Sequence, residues 1–246
     1  MAVGSGLILL GRGAENRVTR RDGYCIVAFT WLLFTGFGML PFYISGSIPS
    51  VTDAFFETMS GFTTTGATIL DDIEALSHGM LFWRSFSQWI GGLGIVFFTI
   101  AVLPIFGVGN QVLFSAEATG VTHDKIHPKI SVMAQCLWTV YLVLTVAEIV
   151  LLLIGGMDLF DAACHAFSTT ATGGYSTKQA SVAYWNSPFI EYVIAIFMIL
   201  SGINFSLYFM CMKGRCGQLF KDGELRLYLI SIGAVTLIIT GALLLV

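Results

Sequence analysis

Two stretches of the chain, residues 53–66 and 161–174, are copies of one device set 108 residues apart, each lying between long apolar runs. Registered without gaps, Asp53 falls on Asp161, Ala54 on Ala162, Ser60 on Ser168, Thr64 on Thr172 and Gly66 on Gly174. A repeat of this kind means one spatial unit used twice. Each copy is a short amphipathic segment running into a Thr/Gly-rich turn. The turns are Phe62-Thr63-Thr64-Thr65-Gly66 and Ser168-Thr169-Thr170-Ala171-Thr172-Gly173-Gly174. Such segments are too short to cross a bilayer and too polar to face lipid, which is the pattern of a re-entrant pore loop.

The surroundings of these copies set the class. Of 246 residues, 56% are hydrophobic and 11% charged, against a charged fraction of roughly 25% in soluble domains. The apolar residues gather into five runs, 24–44, 80–108, 130–154, 188–212 and 225–246. None alternates as a strand would, so the runs are read as membrane helices. The expected fold is therefore all-α and integral to the membrane, with two tandem repeats of helix, pore helix, re-entrant filter loop and helix. The boundaries follow: 1–22 a preceding segment and basic loop, 23–110 the first repeat, 111–129 a linker, 130–213 the second repeat, and 214–246 a loop and the first helix of a third.

Charge orients this arrangement. Arg12, Arg17, Arg20, Arg21, Lys125, Lys129, Lys213, Arg215, Lys221 and Arg226, ten of the twelve cationic residues, fall on one side of the predicted spans. The other side holds Arg84 and Lys178 with the acidic group Asp53, Glu57, Asp71, Asp72, Glu74, Asp158 and Asp161. By the positive-inside rule, the basic loops face the cytoplasm and both Thr/Gly loops open outward. An acidic outer vestibule would concentrate cations at its mouth.

Residues 52–62 read as a short pore helix, capped by Thr52 or Asp53 and carrying an apolar stripe of Phe55, Phe56, Met59 and Phe62. Residues 159–169 repeat it. The carboxyl end of each points at its turn and favours a cation there. A cation stripped of water must recover a desolvation cost on the order of 20 kcal/mol. Backbone carbonyls supply that recovery if the chain can turn them inward, which needs Gly where a β-carbon is resisted. Thr adds a hydroxyl and packs its branched side chain against the pore helix. Neutral dipoles, unlike carboxylates, let a monovalent ion leave again.

Three ordered motifs carry a resemblance over nearly the whole chain: Ser60-Gly61-Phe62-Thr63-Thr64-Thr65-Gly66-Ala67-Thr68, Gln88-Trp89-Ile90-Gly91-Gly92-Leu93-Gly94 and Thr172-Gly173-Gly174-Tyr175-Ser176-Thr177. They resemble the Trk/Ktr/HKT superfamily of potassium transporters, most closely its TrkH-like branch. The resemblance implies potassium uptake across the cytoplasmic or inner membrane through four fused repeats around one pathway. It implies filter glycines at Gly66 and Gly174 and potassium coordination by Thr64, Thr65, Thr172 and Gly173. It also implies a homodimer and a nucleotide-binding cytoplasmic regulatory subunit, with membrane lipid and K⁺ itself as the other partners, and neither nucleic acid nor a cofactor. The chain holds two repeats where that pattern has four, so a fragment covering half the pore is expected.

Other classes compete on specific residues. A sodium or mixed monovalent-cation pore would use the same loops. An intramembrane hydrolase would need Asp161, His165 and Ser168, which share a helical face, but His165 falls on Glu57 in the first copy, so the base is not repeated. A non-conducting scaffold would use the loops only for packing. Gly91, Gly92 and Gly94 suit close helix packing or a hinge, and Asn204 suits either the inner pathway or a bond to a neighbouring helix. Glu148, deep in a span, needs a partner such as a pore-helix end or a hydroxyl, and Glu57 is read as an anchor for the loop behind it. Five cysteines show neither metal nor disulfide spacing, and His123 and His127 lack a third metal ligand.

Overall fold

Ser50 and Asp158 begin the two short helices, and everything around them follows from where those helices start and stop. The computed structural model describes residues 20–106, 130–212, 217 and 222–244, and the regular structure among them is helical. The basic residues up to Arg17, the linker 111–129, and His123 and His127 lie outside the described residues.

Helix α1 (Arg20–Gly38) runs into a short α2 (Leu40–Ile44), which has Pro41 in its first turn, where a missing N–H costs nothing. Helix α3 (Val51–Phe62) starts at Ser50, whose hydroxyl accepts from Asp53 N at 3.4 Å. Neither Thr52 nor Asp53 is the cap. The chain returns through α4 (His78–Phe106). The same order recurs in α5 (Ile130–Ile154), α6 (Leu159–Thr170), a 3₁₀ turn (Ser181–Trp185) and α7 (Pro188–Ser201), followed by α8 (Phe205–Met212) and α9 (Gly223–Leu244). Asp158 caps α6 by accepting from Phe160 N at 3.1 Å and Asp161 N at 3.4 Å.

The run expected at 188–212 is two helices, parted at residues 202–204. Helix α4 breaks at the matching place, Gly94, with φ 53° and ψ −168°. Gly91 and Gly92 behave differently from Gly94. A β-carbon on Gly91 would collide with the Phe62 carbonyl, and one on Gly92 would lie 2.8 Å from Ala171 Cα, so α4 presses against the carboxyl ends of both short helices. Those two glycines serve packing, while Gly94 has open space around it.

Helix α4 contacts α3, α5 and α6, and α6 also packs on α5 and α7. Leu152, Met157, Ala162, Ile190, Val193, Ile194 and Phe197 form the core of the second unit, and Phe42, Ile48 and Ala54 a smaller one in the first. Residues 137–154 and 223–244 are long and apolar enough to cross a membrane. Val143, Val146, Val150, Leu237 and Ile238 are exposed on those helices.

Of the apolar stripe on α3, Phe62 is buried and Phe55 and Met59 are half-buried. The buried residues of the helix are Ala54, Glu57, Thr58, Ser60, Gly61 and Phe62, while Phe56 is exposed. Polar groups in apolar surroundings gain from partners inside the protein, so the face carrying Glu57 and Ser60 turns inward together with Phe62. Cys211 is disulfide-bonded, against the expectation from spacing, whereas Cys25 and Cys164 are free.

Candidate functional site

Both short helices end in the same hydrogen-bond pattern. Thr63 N donates to Met59 O at 2.8 Å, Thr64 N to Gly61 O at 3.0 Å and Thr65 N to Ser60 O at 3.0 Å. In the second copy Ala171 N donates to Phe167 O at 3.2 Å, Thr172 N to Thr169 O at 2.9 Å and Gly173 N to Ser168 O at 2.8 Å. This is the Schellman termination, in which the residue after the helix takes left-handed geometry and is usually Gly. Helix α5 ends that way on Gly156, with φ 95° and the bonds Gly156 N to Leu153 O and Met157 N to Leu152 O.

At the ends of α3 and α6 the left-handed residue is instead Thr64 (φ 54°) and Thr172 (φ 55°). A β-branched residue there costs about 1–2 kcal/mol relative to a relaxed conformation. A helix stop alone would use Gly, as α5 does. The same left-handed threonine thus stands at the matching position of both copies.

Two residues on, Gly66 (φ 75°) and Gly174 (φ 84°) are again left-handed, with Thr65 and Gly173 between them outside that region. Alternation of handedness turns successive carbonyls toward one side, unlike a strand, where they alternate. Among the described residues, no hydrogen bond is recorded to the carbonyl of Thr64, Thr65, Thr172 or Gly173. The two turns are also adjacent. A β-carbon on Gly66 would collide with the Gly173 carbonyl oxygen, so only Gly allows this approach. Gly174 has open space beside it, and Thr63, Thr65, Thr172 and Gly174 are exposed.

Behind the turns lies a buried polar network. Glu57 accepts from Thr68 Oγ1 at 3.0 Å with either oxygen and from Ile69 N at 3.0 Å, so it does anchor the loop behind it. Its other partner is Arg84, whose Nε sits 2.6 Å from Glu57 Oε1. Arg84 also donates through Nη1 to Ser176 O at 3.0 Å, and its guanidinium carbon lies 3.6 Å from the centroid of the Tyr175 ring. Tyr175 Oη reaches back to Glu57 O at 3.0 Å and Ala67 O at 3.2 Å. Gln88 Oε1 accepts from Ser168 Oγ and, at 3.2 Å, from Tyr175 N, and its side chain fills the space where a β-carbon on Gly173 would stand.

The expected outer charges divide accordingly. Glu57, Asp161 and Arg84 are buried, with Asp161 accepting from Thr177 Oγ1 at 2.7 Å and lying 3.9 Å from Lys178 Nζ. Asp53, Asp71, Asp72, Glu74 and Asp158 are exposed. Glu148 is buried in α5 with Thr170 Oγ1 at 3.5 Å, at the end of α6, and its second oxygen has no partner among the described residues. Asn204 bonds Glu224 of α9 at 3.4 Å. Asp161, His165 and Ser168 do not form a relay. His165 Nδ1 bonds the Asp161 backbone oxygen at 2.8 Å and Nε2 bonds Ser176 Oγ at 3.0 Å, while Ser168 turns to Gln88.

Sequence reasoning missed Arg84, Tyr175 and the role of Gln88. A signal existed for the first: a lone Arg inside an apolar run and a lone Glu inside a short apolar helix are each costly alone and complementary together.

The family model for TrkH, described as a cation transport protein, matches residues 1–245. The chain is 43% identical over 232 residues to the Trk system potassium uptake protein TrkH of Escherichia coli K12, covering 93% of this chain and 48% of that protein. It is 38% identical to the TrkH of Halomonas elongata, over 99% of this chain and 52% of the relative. The crystal structure of the potassium transporter TrkH from Vibrio parahaemolyticus superposes with a TM-score of 0.70 at 38% identity, covering 87% of this chain and 43% of that one. The chain thus spans about half the length of the relatives it matches.

Proposed function

From the premise that the chain belongs to the TrkH family of cation transport proteins, a membrane family, we propose that it forms half of a pathway for potassium uptake. The two Thr/Gly turns act as filter loops behind pore helices α3 and α6. Carbonyls of Thr64, Thr65, Thr172 and Gly173 replace the water of a dehydrated K⁺, and Gly66 and Gly174 give the backbone the turn this needs. The two remaining filter segments belong to the rest of the full-length protein.

The observation that carries this reading is the doubled left-handed threonine followed by left-handed glycine, with the intervening carbonyls unengaged and the turns in contact. A packing scaffold gives no reason for backbone strain at both positions. Support for potassium as the ion comes from the relatives named for potassium uptake.

In this reading the turns face outward and K⁺ approaches past the exposed acids Asp53, Asp71, Asp72, Glu74 and Asp158. The breaks at Gly94 and residues 202–204 lie on the helices that line the inner half of the path. The full-length protein works as a homodimer in the inner membrane, with a nucleotide-binding regulatory subunit on the basic, cytoplasmic side.

The test is growth at low potassium of cells that lack their own potassium uptake and express the full-length protein. Wild type restores growth, and Gly66→Ser and Gly174→Ser each abolish it while the protein still reaches the membrane. Undiminished growth with both variants would overturn the assignment.

A further inference from the structure

Resting on that functional reading, the geometry points to Arg84 as a positioning residue that sets the gap between the two filter strands, with selectivity for K⁺ over Na⁺ depending on it. The argument starts from how each strand is held. The strand leaving the first turn is pinned to the Glu57 carboxylate through Thr68 and Ile69. The strand leaving the second turn is pinned to Arg84 through Ser176 O and the face of Tyr175. The two pins are one ion pair, 2.6 Å long, with side chains 2% and 0% exposed.

Tyr175 closes the loop by donating to Glu57 O and Ala67 O. Ala67 directly follows Gly66, and Tyr175 directly follows Gly174. The clamp therefore grips each strand within three residues of its filter glycine, from behind, without touching the ion path. An ion site built from neutral carbonyls discriminates by ligand number and spacing, so groups that fix the separation of two carbonyl sets act on discrimination.

Arginine suits this place for a stated reason. Its planar fork sends separate N–H groups to Glu57 and Ser176 O while its face stacks on Tyr175. Lysine keeps the charge beside Glu57 but has neither the fixed fork nor a plane to stack. Helix α4 supplies Arg84 from the first repeat to the second repeat's strand, so the contact joins the repeats rather than stiffening one.

The experiment uses the full-length protein in proteoliposomes and compares Rb⁺ flux with its inhibition by Na⁺ and K⁺. Arg84→Lys is expected to elute as wild type in detergent, to keep conducting, and to lose about tenfold of its K⁺ over Na⁺ preference, the scale seen when a group orienting an ion's ligands is removed. A variant that only weakened folding would lower total flux and leave the ratio unchanged. Tyr175→Phe, which removes only one hydroxyl, is expected to lower the ratio a few-fold, and it decides the matter if Arg84→Lys does not fold. Wild-type ratios in Tyr175→Phe and in any folded Arg84→Lys would overturn this inference alone. Absence of potassium-sensitive flux in wild type would overturn the functional reading and this inference with it.

Discussion

The two turns share a backbone and differ in what stands behind them. Their terminating hydrogen bonds and left-handed residues match position for position across 108 residues. Behind the first, Glu57 holds Thr68 with a carboxylate; behind the second, His165 holds Ser176 with an imidazole. These are the same two positions in each copy. The serines diverge as well: Ser60 Oγ closes its own turn by donating to Ala67 O at 2.6 Å, whereas Ser168 gives its hydrogen to Gln88 of α4. Turn geometry is a local property of helix ending, so it is copied with the sequence. Anchors answer to neighbours, and each turn meets α4 from a different side.

That difference can be broken most forcefully at the anchors. Glu57→Gln leaves Arg84 buried without its counter-charge and should lower stability by about 3–5 kcal/mol. His165→Gln removes neutral hydrogen bonds and should cost about 1–2 kcal/mol. Thermal unfolding of the purified variants in detergent measures both, and equal losses would mean the two anchors are equivalent after all.

A second contrast concerns the glycines. Gly66→Ala adds a collision with the Gly173 carbonyl to the strain of a positive φ, and is expected to cost about 2–4 kcal/mol. Gly174→Ala meets open space in this chain and should cost only about 1 kcal/mol from its φ. If the full-length protein shows equal costs by the same melting measurement, the space beside Gly174 is filled there by a carbonyl as close as Gly173 is to Gly66.

The smallest expected effect on stability separates strain from use. Thr64→Gly and Thr172→Gly relieve left-handed threonine and should raise stability by up to about 1 kcal/mol. The same variants lose the hydroxyl and the rigid turn, so the external potassium giving half-maximal uptake should rise. Rubidium uptake against concentration checks this. Unchanged half-saturation together with higher stability would mark the threonines as ordinary helix stops.

Much of the architecture was legible because it rests on short-range rules. Apolar runs announce helices, and the short amphipathic segments announce the half-length helices that follow the first long helix of each unit. The doubled Thr/Gly turns could be aligned without any structure. What the reading did not reach depends on contacts between distant segments. The apolar stripe of α3 gave no hint that Glu57, Thr58 and Ser60 are buried beside it, or that Glu57 meets Arg84 of α4. Charge counting placed Arg84 on the outer side of the predicted spans but could not show that it is 2% exposed and paired with Glu57.

By itself the amino-acid order determined the helices of the described residues and the matching pair of Thr/Gly turns, because apolar patterning and helix termination act within a few residues. Only the folded molecule decided that the Gly66 and Gly173 backbones meet, that Arg84 of one unit holds the strand of the other, and that Gly91 and Gly92 pack while Gly94 bends. Buried charge and close backbone approach are settled by whichever distant group arrives at hydrogen-bonding distance, and a linear pattern does not encode that arrival.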